Sequence, residues 1–206
     1  AATVLTGDFL FSCSAYLVSL TDSIDIVRIF SKTLTTIVNG EINQLFGGRC
    51  NLSHSDYYRR IYAKTASLFE TSTLTAALLS HAEPKMEQAL KMFGYNLGMA
   101  FQIVDDVLDY SGSIESVGKP VGSDLRQGLI TAPILFYLES NPSDPDFAPF
   151  VDGKCVDDEE KLETIIHKIA ASKAIAKSLE EAHHFSNLAR ESLSILPESL
   201  HKDALM

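Results

Sequence analysis

The sequence predicts an all-α fold in one domain over residues 1–206. Apolar residues recur three and four apart along most of the chain, Ser, Thr, Asp, Gly and Pro punctuate those runs where helices would start or stop, and no alternating strand pattern competes. There is also no internal repeat or heptad run. At 206 residues and 46% hydrophobic content the chain can build one sizeable core.

The elements follow in order. Residues 3–20 carry Val4, Leu5, Phe9, Leu10, Phe11, Tyr16 and Leu17 with Asp8 as the single acid, which predicts a buried helix. After the capping cluster Thr21-Asp22-Ser23, the residues Ile24, Val27, Phe30, Leu34, Ile37, Val38 and Ile42 predict a second long helix, broken at Phe46-Gly47-Gly48. Ser53-x-x-Asp56 has the spacing of a capping box. It opens a third helix that runs through Tyr57, Ile61, Leu68 and Leu78, with Lys64 and Thr65 near its middle. Its aromatic stripe is read as core.

Glu83-Pro84 opens a fourth helix, since Pro suits a first turn. Gly94 and Gly98, one turn apart inside it, each weaken a helix by about 1 kcal/mol relative to Ala, so close helix packing is expected there. Residues 111–128 read as a polar loop with Lys119, Asp124 and Arg126, long enough to suggest a function. A further helix starts at Pro133, residues 141–158 read as an exposed connection, and Glu159 to Leu196 returns to helix. His183-His184 are adjacent, so they point about 100° apart and make a poor metal pair.

The fourth helix ends in the most informative stretch, Met99 to Tyr110. At about 100° per residue, Gln102, Asp105, Asp106 and Asp109 share one face, with Phe101, Ile103, Val104, Val107, Leu108 and Tyr110 on the other. A solvated helix face mixes bases among its acids because like charges one turn apart repel. Here no base lies between Lys91 and Lys119. Carboxylates one turn apart suit a hard divalent cation that draws its remaining ligands from water and phosphate oxygens, so Mg²⁺ holding a diphosphate is the expected use.

Composition limits the partners. A formal charge of −10 and a pI near 5 exclude a basic footprint for nucleic acid, while bound cations and placed lysines still permit an anionic small substrate. Cys13, Cys50 and Cys155 are odd in number and lack C-x-x-C pairing, which predicts three free thiols, a reducing compartment and no structural zinc. The apolar runs are read as shorter than a membrane span, and no signal or transit peptide is visible. The chain opens without Met and closes inside an unfinished helical pattern, and so reads as a fragment truncated at both ends.

Phe101-Gln102-x-x-Asp105-Asp106-x-x-Asp109-Tyr110, followed by Gly118-Lys119-Pro120 and Ser123-Asp124-Leu125, resembles the second aspartate-rich region of trans-polyprenyl diphosphate synthases. The likeness extends to Gly7-Asp8-Phe9-Leu10, Gly40-Glu41-Ile42 with Gln44, Lys64-Thr65-Ala66-Ser67-Leu68 and Thr131-Ala132-Pro133. It implies the isoprenoid-synthase helical bundle and Mg²⁺-dependent condensation of isopentenyl diphosphate with an allylic diphosphate. Asp105, Asp106 and Asp109 would bind Mg²⁺, Lys64 and Lys119 would contact phosphate oxygens, and Thr65 and Gln102 would lie beside the first cation.

There are departures. The family's first aspartate-rich region and its isopentenyl diphosphate site would precede Ala1, and Leu129 stands where many members carry a lysine. Gly118-Lys119-Pro120, Leu129 and Thr131-Ala132-Pro133 are more similar to long-chain quinone-tail synthases (solanesyl, decaprenyl, hexaprenyl) than to farnesyl synthases. The resemblance implies a homodimer or a heteromer with a related subunit. It implies an intracellular enzyme, mitochondrial if it serves a eukaryotic quinone tail and otherwise cytoplasmic. A non-catalytic subunit of a heteromeric synthase is the alternative, and a terpene cyclase on the same fold a weaker one.

Overall fold

The computed structural model describes residues 2–46, 50, 52–111 and 121–206. Among the described residues the regular structure is helical throughout, as the apolar spacing predicts. The chain begins with α1 (Ala2–Ser19), α2 (Ile24–Phe46), α3 (His54–Ile61), α4 (Ser67–Leu79) and α5 (Pro84–Ser111). They are followed by α6 (Ser123–Arg126), α7 (Ala132–Ser140), α8 (Ala148–Val151), α9 (Glu159–Ala170), α10 (Ala174–Ser192) and α11 (Leu200–Leu205). α5 is the axis, packed against α4 on one side and α10 on the other, with α2 outside α4.

The predicted third helix is continuous in direction but not in winding. Ser53 accepts the Asp56 N–H and starts α3, yet Tyr62–Ala66 forms a π-helical turn before α4 begins. π turns are uncommon and tend to sit at functional sites, and this one carries Lys64 and Thr65.

Gly94 and Gly98 explain how α5 comes so close to this turn. A Cβ on Gly98 would lie 2.5 Å from the Ala66 Cα, and one on Gly94 would lie 2.5 Å from the Phe69 carbonyl oxygen. Only residues without a side chain allow backbone to meet backbone at that separation.

The core lies between α3, α5, α7, α9 and α10, with Ile61, Met99, Ile103, Ile134, Ile165 and Ile169 buried. Residues 141–158 are largely exposed, as expected of a connection, but send two side chains into the core. The 3₁₀ turn Pro145–Phe147 and α8 place Phe147 and Phe150 in the core, and Phe147 stacks on Tyr137. The Asp144 carboxylate anchors the segment by accepting from Tyr137 Oη and Lys168 Nζ. The run Glu159 to Leu196 divides at Ala171–Lys173 into α9 and α10.

Four further expectations are corrected. α1 has no buried residue and is exposed along most of its length rather than buried: its apolar residues are spread around the helix, and it packs on α2 through contacts such as Phe11 on Phe30. By length and composition it is the one helix among the described residues that could cross a membrane, contrary to the reading that every apolar run is too short. On α5, Ile103, Val107 and Tyr110 are buried, but Phe101, Val104 and Leu108 are exposed. Finally, Cys50 and Cys155 form a disulfide, leaving Cys13 as the free thiol. Their separation of 105 residues gives no signal in the sequence; the fold brings the Cα atoms to 5.6 Å.

The packing account predicts opposite outcomes for two glycines. Gly98→Ala should lower unfolding free energy by about 1–3 kcal/mol in urea, because overpacking outweighs the helix-propensity gain. Gly7→Ala, where an added Cβ meets nothing within 4 Å, should be neutral or stabilise. A Gly98→Ala protein as stable as the parent would refute the close-approach role.

Candidate active site

The acidic face of α5 and the π turn beneath it form the candidate site. The π turn widens the helix at Tyr62–Ala66 and presents Lys64, exposed, and Thr65, half-buried, toward the face of α5 that carries Gln102. Thr65 Oγ1 donates to Gln102 Oε1 at 2.6 Å. The Gln102 amide nitrogen in turn donates to Asp105 Oδ2 at 3.0 Å and to Asp106 Oδ1 at 2.9 Å.

The three aspartates share a face in sequence but have different surroundings. Asp105 is exposed. Asp106 is 4% exposed and turned inward, where its Oδ2 accepts from Tyr57 Oη at 2.8 Å. Burial, which penalises the charged carboxylate, pushes Asp106 up to about 7 against the lowering effect of its Gln102 and Tyr57 hydrogen bonds. Asp109 is directed along the chain: its Oδ1 accepts from the Ser123 N–H and hydroxyl, and its Oδ2 from the Asp124 N–H. It thus holds the start of α6, where Gly122 has φ +71°.

α6 brings in Asp124, which lies within range of the Asp109, Lys64, Asp105 and Arg60 charges. Burial first, and the Asp109 charge second, raise Asp124 above the usual carboxylate range. Two cations oppose the acids: Lys64, and Arg60, whose guanidinium donates to the Ile130 carbonyl and sits 5.6 Å from the Tyr57 ring centroid. Among the described residues, Asp105, Asp106, Asp109 and Asp124 have no salt bridge within 4 Å.

Among the described residues no three His, Cys, Asp or Glu side chains converge closely enough to enclose a metal. Asp105, Asp106 and Asp109 are therefore not a preformed three-carboxylate cage, because Asp106 faces the core and Asp109 faces α6. The donor set still suits Mg²⁺: one or two carboxylates with waters and phosphate oxygens is its usual coordination, and Asp105, with Asp124 in range, supplies hard oxygens in a field short of positive charge. His183 lines a groove, and His184 packs on Phe185.

That groove, about 380 Å³, runs between α5 and α10 and is lined by Phe101, Val104, Asp105, Leu108 and Leu179. It is mainly apolar, and Asp105 is the carboxylate among its lining residues. A larger cavity of about 580 Å³ lies between Tyr110, Arg126 and Ile166, and none of the acidic-face carboxylates lines it.

Of the sequence-predicted residues, Lys64, Thr65, Gln102, Asp105, Asp106 and Asp109 come together; Lys119 lies outside the described residues. Tyr57 and Arg60 were not among the predicted site residues. Tyr57 falls in an aromatic stripe and its ring is indeed core, 2% exposed; only the tertiary structure reveals where its hydroxyl points.

The family model described as Polyprenyl synthetase matches residues 1–169. The chain is 35% identical over 205 residues to "Solanesyl-diphosphate synthase 2, chloroplastic" of Oryza sativa subsp. japonica, covering 98% of this chain and 49% of that protein. It is 34% identical over 202 residues to "Heptaprenyl diphosphate synthase component 2" of Bacillus subtilis, covering 97% and 57%. A crystal structure of polyprenyl synthase from Caulobacter crescentus, complexed with calcium and isoprenyl diphosphate, superposes with a TM-score of 0.88 at 33% identity, covering 99% of this chain and 63% of that one. The chain thus spans about half to three-fifths of the length of these relatives.

The geometry assigns Asp109 to holding α6 in place. Asp109→Asn replaces one acceptor oxygen with a donor facing backbone N–H groups. Hydrogen exchange at the Ser123 and Asp124 amides should speed up by about tenfold or more, the loss of one charge-assisted cap, while exchange along the middle of α10 stays unchanged. Unaltered protection at Ser123 and Asp124 would refute the assignment.

Proposed function

This chain belongs to the polyprenyl synthetase family, and from that premise we propose that the protein is a prenyl diphosphate synthase. It would transfer an allylic prenyl group to isopentenyl diphosphate, extending a linear chain. The observation that carries this reading is the meeting of Lys64, Thr65 and Gln102 with Asp105 and Asp124 on the acidic face of α5.

In the reaction the allylic C–O bond breaks and its electron pair departs with the diphosphate. The alkene of isopentenyl diphosphate then bonds to the allylic carbon, and a proton is lost to restore a double bond. Leaving-group charge is the main barrier, so groups fixed on it favour the transition state over the ground state. Mg²⁺ bound by Asp105, with Asp124 in support, would supply Lewis-acid stabilisation of that charge. Lys64 places an ammonium from the π turn toward the same region, and Lys119 is assigned to the phosphate oxygens by the family resemblance. Thr65 and Gln102 turn oxygen lone pairs toward the carbon that becomes positive. The groove along Phe101, Val104 and Leu108 suits an isoprenoid tail. Asp106 and Asp109 support the arrangement from behind, through Gln102 and α6.

A long-chain product for a quinone side chain is consistent with the solanesyl and heptaprenyl relatives. The relative named as a component supports a second reading, in which this protein acts with a partner subunit. The native mass of the purified protein, alone and mixed with a candidate partner, separates the two.

Asp105→Ala in the full-length protein should reduce turnover of labelled isopentenyl diphosphate by about a hundredfold or more, the usual cost of removing a fixed charge-stabilising group. Chelation of divalent metal should abolish parent turnover and added Mg²⁺ restore it. Turnover within about threefold of the parent in Asp105→Ala would sink the metal role.

A further inference from the structure

We infer that Tyr57, through Asp106, is a positioning residue that sets the direction of the Gln102 amide and hence of the Thr65 hydroxyl. The inference rests on the synthase reading above. Tyr57 Oη donates to Asp106 Oδ2 at 2.8 Å, Gln102 Nε2 donates to Asp106 Oδ1 at 2.9 Å, and Thr65 Oγ1 donates to Gln102 Oε1 at 2.6 Å. All but Thr65 among these side chains are buried.

With both carboxylates ionised, the polarity of this chain has one consistent solution. Gln102 Nε2 has two N–H groups, and they reach two carboxylates, on Asp105 and Asp106. Reversing the amide would set Oε1 against both carboxylate oxygens at about 3 Å, an acceptor facing acceptors. The amide oxygen must therefore face Thr65, and the Thr65 proton must be directed to it. That leaves the Thr65 lone pairs free to face developing positive charge.

Asp105 is exposed and able to turn to another ligand, so the fixed end of the chain is Asp106. A buried carboxylate held through a single oxygen could rotate about its terminal torsion, which has a broad energy profile. Tyr57 takes the second oxygen and prevents this. Its own ring packs against Arg60, 5.6 Å from the centroid, and the Tyr58 ring, tilted to it at 5.4 Å. Tyr57 therefore acts from behind α5, with two side chains between it and Thr65.

The test is a double-mutant cycle in the full-length protein, with melting recorded so that turnover is compared where every variant is folded. Tyr57→Phe should lower kcat by about tenfold or more while leaving KM for both diphosphates within about threefold, as expected when a group near the reacting carbon is misplaced. Gln102→Ala should lower kcat at least as much. The double variant should fall within about twofold of Gln102→Ala alone, because Tyr57 acts through Gln102. A Tyr57→Phe enzyme within twofold of the parent, or a double variant whose loss is the product of the two single losses, overturns the inference but leaves the synthase reading intact. A parent that makes no linear prenyl diphosphate overturns both.

Discussion

A carboxylate taken out of water must be met by donors, and Asp106 imposes that requirement on the centre of this fold. Removing an isolated ion from water costs several kcal/mol even after relaxation. The compensation comes from Tyr57 on α3 and Gln102 one turn earlier on α5. α3 must therefore lie against α5 at the level of Asp106, and the π turn that follows α3 is carried to the level of Gln102. One buried charge fixes the height at which Lys64 and Thr65 meet the acidic face.

The approach of those two segments depends on what is absent from α5. Gly94 and Gly98 let α5 touch Phe69 and Ala66 at backbone distance. The helix gives up some intrinsic stability for this, and the return is precision: Thr65 and Gln102 hydrogen-bond directly across the two elements at 2.6 Å. The π turn and the glycines are two halves of one packing solution, one widening a helix and the other thinning its neighbour.

The aspartates divide the work. Asp105 keeps an exposed carboxylate, Asp106 orients Gln102 from within, and Asp109 holds α6 so that Asp124 stands in the same field. Spacing on a helix describes direction about an axis. It does not say how far a neighbouring element rises over each position, and here α3 covers Asp106, α6 engages Asp109, and Asp105 is left open.

The sequence by itself determined the helical class, the α5 acidic face and the polar residues around it, because helical periodicity and capping are local and the charge pattern of Gln102 to Asp109 is anomalous within a single helix. It also anticipated the close packing at Gly94 and Gly98 and the cap at Ser53. Only the tertiary structure decided which carboxylate is buried, that Tyr57 and Arg60 stand behind the site, and that Cys50 meets Cys155 across 105 residues. It also decided that 141–158 contributes Phe147 and Phe150 to the core, and that α1 lies exposed. These are properties of pairs of residues distant in the chain. A hydrophobic pattern marks a face that can be covered, but what covers it, and which polar atom it meets there, follows from how the elements pack.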